Sequence, residues 1–556
     1  MKKKKISFIL NSISEKNKIK NYKKENTVYI FNFSNNLKNY TSNILDFYVS
    51  TNNYKKYNIL KDNLCKKWFV KYKKKNLNTQ KKNLIGNILF GRSHSDFTDK
   101  LRILLSLNTI SKKYYKVYYS SSLPVEFIKL TKYFKNLKEF KCKSKIPSFL
   151  QSTTKRSTFH YFPSVHKLSS IARNIQNFSY DVEKKNKILV FPDPYFQKLF
   201  NKRKDTIYLN SINFKKGFYY KNNVKKNFYF KKSDLNKNEI KKCILKIISK
   251  TNKLQIIIAD ILSETILVNY YDGIKYFNWC YDHNIELLKK YNPSKIVMSN
   301  TISFHYLIIN YLSKKQGIKT TISFDGIETV FNPLNILIDR NRYIYDQLIC
   351  YGTADYKLNL RHRIKKDQLL LGQIPILNKF KRFKERKIKK YDFIIMAYQP
   401  RTNNLESRWD KKIYNAFQII MLLNKLNYKK IGIKLKQDTQ DTSKEFNYIQ
   451  NLIAENNLSC EVIEGNIGEL LPNIKNIVGG ISTAIWEASS IGIPYYIYEP
   501  SNMGLLDIQI KKSILFNQNK CARDLKELEN KIRNKAHFKI NKSLMFDGTP
   551  LDELKL

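Results

Sequence analysis

The sequence predicts an α/β protein of two doubly wound parallel sheets, preceded by a basic N-terminal region of poorly defined structure. Two observations carry this. Short apolar runs alternate with amphipathic segments from Lys295 to Pro375 and again from Tyr391 to Pro500, the order that parallel strands with crossover helices require. Asn473 to Pro500 then reads as strand, glycine turn, helix, strand. In that stretch Gly479-Gly480 permits a tight turn, Ser482 or Thr483 can cap the following helix, Gly492 stops it, and Pro494 opens the apolar run Tyr495 to Tyr498.

Taken in order, residues 1–84 are Lys- and Asn-rich, with one strand expected at Thr27 to Phe33 and a basic tract from Lys66 to Lys82. A second unit, 85–377, starts with an expected strand at Asn87 to Gly91. A polar loop from Arg92 to Asp96 and an amphipathic segment from Lys100 to Leu107 follow. His94 in that loop is a candidate to face a ligand, although most loop histidines are simply exposed. Between 108 and 250, apolar runs such as Tyr115 to Tyr119 and Lys187 to Phe191 alternate with basic loops and suggest no chemistry.

From there the pattern is clearer. Strands are expected at Lys295 to Met298, Thr320 to Phe324 and Gln347 to Tyr351, with a helix from Phe304 to Lys315 ending near Gly317. Asp325-Gly326 follows the second of these strands, at the carboxyl end where open α/β sheets place ligands. Asp325 is thus a candidate general base, with Gly326 allowing close approach; an ordinary Asp-Gly turn fits the same residues.

The charge run 378–390 reads as a linker. Beyond it, 391–510 forms the next unit, with Arg401 in the loop after the strand Tyr391 to Ala397 and the strand Lys430 to Lys436 further on. Residues 511–556 read as a helical tail. The Gly480–Thr483 turn points helix N–H groups and two hydroxyls out of a sheet edge, an anion site whose usual guest is phosphate; a plain cap in one unit among several reads equally well.

Charge and composition bound the function. The net charge of +57 suits nucleic acid or an anionic membrane surface. Yet residues 1–90 carry 21 Lys and Arg against 4 Asp and Glu, whereas 391–500 carry 11 against 12, so the excess lies away from the anion site. Asn, Ile, Tyr and Phe, which have A/T-rich codons, are also abundant, and base composition accounts for the lysines better than a nucleic-acid partner does. Seven scattered cysteines indicate neither a disulfide framework nor a zinc site. No run reaches about 18 apolar residues, and the apolar stretch after Lys2–Lys5 is short for a signal peptide, so a cytoplasmic location is expected, peripheral on the inner face of a membrane.

Two such units joined by one linker, with the stronger phosphate signature in the second, resemble the GT-B glycosyltransferases. The detailed order looks most like bacterial sialyltransferases, polysialyltransferases and related capsule or surface-carbohydrate transferases. Phe324-Asp325-Gly326 matches the last two positions of an acidic-Asp/Glu-Gly motif in those families. Ser482-Thr483 matches their hydroxyl pair at a helix start, and Glu469-Leu470-Leu471 their Glu-Leu-Leu-like segment. Where Ile-Lys-Leu-His-Pro would stand the chain has Lys434-Leu435-Lys436-Gln437, so a lysine replaces the histidine.

The resemblance implies two Rossmann-like domains facing a cleft and transfer of a sugar from a nucleotide donor to a glycan or lipid-linked acceptor. Asp325 would take the acceptor proton, and Gly480, Ser482 and Thr483 would hold the donor phosphate with Lys434 or Lys436. Glu487 or Glu499 would bind ribose, and Arg401 and Glu469 are further candidates. The chain has no Asp-x-Asp tripeptide, so no metal or other cofactor is expected. A noncatalytic basic binding protein, for nucleic acid or as a degenerate GT-B relative, is the rival reading.

Overall fold

The computed structural model describes residues 4–10, 22–32, 77–121, 125–141, 187–190, 205–208, 229–248, 252–298, 304–323, 345–361, 364–373, 389–397, 408–435, 442–463, 470–482, 484–500, 521–539 and 547–550, with a few single residues between. Among them the chain is α/β, and every strand pair in its three sheets is parallel.

The first sheet draws three strands from the region expected to be poorly defined, among them the one expected at Thr27 to Phe33, and two from the unit that follows. It holds β1 (Lys4–Leu10), β2 (Asn26–Asn32), β3 (Ser42–Asn43), β4 (Lys116–Ser120) and β5 (Leu137–Phe140), in the order β3-β2-β1-β4-β5. Ile6 and Phe8 face one core and Ile9 another, so both faces of β1 are covered.

The second sheet holds β6 (Ile188–Val190), β7 (Thr206–Tyr208), β8 (Lys295–Met298), β9 (Lys319–Ser323), β10 (Gln347–Tyr351) and β11 (Leu369–Gly372), ordered β11-β10-β9-β8-β6-β7. A helical layer separates it from the first: α1 (Thr79–Lys113), α2 (Val125–Thr131), α3 (Lys237–Ile248), α4 (Lys253–Tyr291) and α5 (Phe304–Lys315). One continuous core joins Ile9, Phe31 and Val117 through this layer to Leu189, Ile296 and Leu348.

Helix α1 corrects the strand and loop expected at 87–96. It runs unbroken, with Asn78 capping Lys81 N–H at 2.7 Å. Leu84, Ile85, Ile88 and Leu89 recur at helical spacing and are all buried, because α1 lies along α4 and needs one apolar stripe. Its first turn is pinned by Asp234, whose carboxylate meets Lys81 Nζ at 3.0 Å and accepts from Tyr270 Oη at 2.9 Å and Lys231 N–H at 2.8 Å.

Helix α4 is long and apolar enough to cross a membrane by length and composition. However, 56% of its most apolar 18-residue window is buried, and it packs on α1, α3 and α5. Its apolar residues therefore serve the helical layer.

The third sheet comprises β12 (Tyr391–Ala397), β13 (Ile431–Leu435), β14 (Glu461–Ile463), β15 (Ile474–Gly479), β16 (Tyr495–Tyr498) and β17 (Cys521–Ala522), ordered β14-β13-β12-β15-β16-β17. Its helices are α7 (Arg408–Lys425), α8 (Thr442–Glu455), α9 (Ala484–Ser490) and α10 (Leu525–Arg533). Sheet alternation is clean: Ile431, Ile433 and Leu435 enter the core with α7 and α8, while Ile394, Ile477, Tyr495 and Ile497 enter a core shared with Val190, Val297 and Ile349 of the second sheet.

The tail expected to be helical is only partly so. Cys521–Ala522 adds the sixth strand, Phe538 N–H bonds Tyr495 O at 2.8 Å, and Thr549 then pairs with Gly372 at the edge of the second sheet. There α6 (Gly352–Arg361) starts at the carboxyl end of β10, and Asp547 accepts from Thr353 N–H at 2.9 Å and from its hydroxyl. Gly548 has φ +129°, and a Cβ on it would lie 2.6 Å from the Gly372 carbonyl oxygen, so only glycine lets the tail approach.

Candidate functional site

The site begins where β15 ends. A side chain at Gly479 would run into the Tyr495 hydroxyl and lie 2.8 Å from Met396 Cβ, so the strand end must be bare. Gly480 O then accepts from Tyr495 Oη at 2.9 Å, and Ile481 N–H donates to Glu499 Oε2 at 2.9 Å. The chain turns at Ser482 into α9, which closes at Gly492 with φ +78° before β16. Two residues of β16 and its exit thus hold the turn from below.

Electrostatics fit this bracing. Tyr495 is fully buried, and burial pushes its phenol pKa up; a hydrogen bond from the Ser482 side chain pulls it down, and the Glu499 charge raises it further. The phenol therefore stays neutral and remains a donor to Gly480. Glu499 is fully buried, and its own carbonyl accepts from an Arg523 guanidinium N–H.

Topology explains why this turn is a place for a ligand. The strand order of the third sheet reverses between β12 and β15, which leave in opposite directions. Diverging connections leave a crevice above the carboxyl ends of those two strands, and ligands of open α/β sheets bind there. Lys434, 7% exposed, sits in register with Met396 of β12. Since its neighbours Ile433 and Leu435 face the other core, Lys434 shares the α9 face of the sheet with Met396 and Glu499. Its Nζ donates to Leu435 O at 3.1 Å. The Lys434 ammonium and Ser482 thus share one face and edge of the sheet, beside a turn whose Ile481 N–H is taken by Glu499.

Of the residues expected at the site, the fold brings Lys434, Gly480, Ser482 and Glu499 to this edge. Glu499 lies beneath the turn, with its carboxylate on Ile481 N–H. His94 falls within α1 and Glu487 within α9, with side chains outside the described residues. Asp325, Gly326, Arg401, Lys436, Glu469 and Thr483 also lie outside them.

Two buried polar contacts escape a reading of the sequence. Tyr495 looks like any strand residue, and only the sheet register sets it against Gly479 and Gly480. In the first sheet, Glu15 is fully buried and accepts from Ser120 Oγ at 2.6 Å, at the carboxyl end of β4 where the order of that sheet reverses. Their separation of 105 residues leaves no sequence signal.

No known protein family matches the sequence, and no curated protein does. Among solved structures the chain is similar to the UDP-GlcNAc 2-epimerase of Methanocaldococcus jannaschii in complex with UDP-GlcNAc and UDP, at 12% identity and TM-score 0.39, over 66% of this chain and 98% of that one. It is similar to the UDP-GlcNAc 2-epimerase of Neisseria meningitidis bound to UDP-GlcNAc, at 11% identity and TM-score 0.37, over 65% and 96%. It is also similar to a sucrose-phosphate synthase of Thermosynechococcus elongatus, at 9% identity and TM-score 0.30, over 48% and 69%. At this depth the likeness is one of broad arrangement, and no residue takes a role from it.

Proposed function

We propose that the chain is a nucleotide-sugar-dependent glycosyltransferase that moves a sugar from its nucleotide to a surface-glycan or lipid-linked acceptor. A CMP-activated, sialic-acid-like sugar is the donor that the resemblance to sialyltransferases implies, one among the nucleotide sugars to be tested. The observation that carries the reading is the braced turn Gly480–Ser482 at the strand-order reversal of the third sheet, with Lys434 on the same face.

In this reading the donor phosphate lies against the turn and the Ser482 hydroxyl. As the bond to the sugar breaks, negative charge grows on that phosphate, and fixed N–H donors and a nearby ammonium meet it without reorganising, an effect worth several kcal/mol in such chemistry. Asp325, after β9, takes the proton of the attacking acceptor hydroxyl, a role typically worth about 10²- to 10⁴-fold in rate. Lysine charge neutralises the phosphate in place of a divalent metal. The chain acts in the cytoplasm against an anionic membrane surface, which its basic charge favours.

The test is a thermal-shift panel of the whole chain with CMP, UDP, GDP, CDP and a short RNA, repeated on Ser482→Ala and Asp325→Ala. A saturating ligand at a hundredfold excess over Kd adds about 2.7 kcal/mol of stability. Stabilisation by one nucleotide that Ser482→Ala weakens and Asp325→Ala preserves supports the reading and names the donor class. Salt-sensitive stabilisation by RNA alone, with no nucleotide effect, replaces it with a noncatalytic binding protein.

A further inference from the structure

We propose that a cavity between α1 and α5 binds a small sugar-like ring carrying one anionic group, a phosphate or a carboxylate. The cavity holds about 230 Å³. That is below the ~300 Å³ at which drug-sized sites begin and is room for a single ring.

The walls specify the chemistry. Leu84 and Leu307, both buried, give an apolar floor. The amides of Gln80 and Asn83 line the α1 side and offer donors and acceptors to ring hydroxyls. On the α5 side Tyr311 is fixed in place, its hydroxyl 2.8 Å from that of Tyr229, which itself stacks on Tyr281 with centroids 4.0 Å apart.

Lys314 and Lys315 also line the cavity, and among the described residues no lining side chain is acidic. Lys315 Nζ lies 5.1 Å from the Tyr311 ring centre, so a cation is held beside the cavity by the ring face. Lys314 reaches Asp346 Oδ1 only at 4.0 Å, while Asp346 Oδ2 accepts from Thr320 N–H at 2.8 Å. An apolar floor, an amide wall and a pair of ammonium groups complement a hydroxylated ring with a negative substituent.

This place is separate from the Gly480 turn. Asn310 in the cavity wall accepts from Thr320 Oγ1 at 2.7 Å, and Thr320 and Asp346 stand at the amino ends of β9 and β10. The cavity thus sits at the amino edge of the second sheet, whereas the turn sits at the carboxyl edge of the third.

The experiment is calorimetric titration of the whole chain at low salt with glucose 6-phosphate, glucuronate, glucose and inorganic phosphate. It is repeated on Lys314→Gln/Lys315→Gln and on Asn83→Trp, which fills the cavity from an exposed position of α1. The expected result is that at least one anionic sugar binds tenfold or more tightly than both glucose and inorganic phosphate. Each variant then loses tenfold or more while its melting curve and its nucleotide response stay those of the parent. Preference for glucose 6-phosphate assigns a phosphate and preference for glucuronate a carboxylate. Equal binding of inorganic phosphate and the sugar phosphate overturns the proposal, as does affinity that either variant leaves unchanged. A loss of nucleotide binding in the panel above with this result intact would sink only the transferase reading.

Discussion

Glu499 and Ile481 are joined by a 2.9 Å hydrogen bond, carboxylate oxygen to backbone N–H, with both residues out of solvent. The bond spans 18 residues and ties the exit of β16 to the turn after β15. It braces that turn against the sheet. Removing the acceptor strands a buried donor, which costs about 1–3 kcal/mol. Glu499→Ala should lower the urea midpoint accordingly and abolish nucleotide stabilisation, whereas Glu499→Gln keeps an acceptor oxygen and should recover most of both. Equal losses in the two variants would sink the bracing role.

The Tyr495 hydroxyl gives a pH signature. Its folded pKa is raised, chiefly by burial, above the ordinary tyrosine value of 10.0. Above pH ~10 the unfolded chain therefore loses a proton that the folded chain keeps, so the unfolded state binds fewer protons and stability falls as pH rises. Each such group steepens the fall by up to about 1.4 kcal/mol per pH unit. Tyr495→Phe should cost about 0.5–1.5 kcal/mol at pH 7 through the lost bond to Gly480 O. It should also flatten the decline between pH 10 and 12, as read by urea melts across that range.

At Gly479 the limit is space. A methyl there would press on the Tyr495 hydroxyl and on Met396 Cβ, and the latter belongs to a strand that cannot yield. Gly479→Ala should destabilise by about 1–3 kcal/mol, the usual penalty of overpacking. Paired with Tyr495→Phe, which removes the nearer atom, it should cost less than the two singles summed, a coupling that a double-mutant cycle reads directly.

Lysine 434 separates binding from stability. Lys434→Met keeps the length of the side chain and removes the charge. The variant also loses the bond from Nζ to Leu435 O, which costs about 0.5–1.5 kcal/mol. It should melt within that margin of the parent by the urea midpoint yet bind the stabilising nucleotide at least ~10-fold more weakly, about 1.4 kcal/mol. Unchanged nucleotide affinity would remove Lys434 from the site.

Far from the turn, Asp234 anchors the helical layer. Its carboxylate holds Lys81 of α1 at 3.0 Å, and the two side chains are only 7% and 14% exposed. Deleting it leaves a largely buried ammonium without its counter-charge, a loss of about 3–5 kcal/mol. Asp234→Ala should show it in urea denaturation while leaving nucleotide recognition by the folded fraction intact.

Much of the third sheet was legible in the chain itself. Its strands are buried on both faces, so they appear as continuous apolar runs, and β12, β13 and β16 fall where Tyr391–Ala397, Lys430–Lys436 and Tyr495–Tyr498 place them. The same holds for β8, β9 and β10 of the second sheet. Helix α1 was misread at Asn87 to Gly91 because a five-residue apolar run suits a buried strand or a helical stripe equally, and the arbiter is α4, some 170 residues on. In the first sheet β2 falls where Thr27–Phe33 places it, whereas β1 gives no such signal: it is seven residues between lysine-rich flanks, and its partner β4 arrives after residue 115.

Local chemistry thus determined the punctuation of this protein: where glycine permits a turn and where an apolar run must be buried. Those are preferences of neighbouring residues and need no distant partner. Tertiary structure alone decided that Tyr495 and Glu499 sit under Gly480 and Ile481, that Lys434 shares their face, and that Asp547 reaches back to Thr353 across 194 residues. Such contacts depend on strand order and register, which arise only when several sheets bury their faces together. A linear pattern of side chains carries the periodicity of each element but not the choice of its partner.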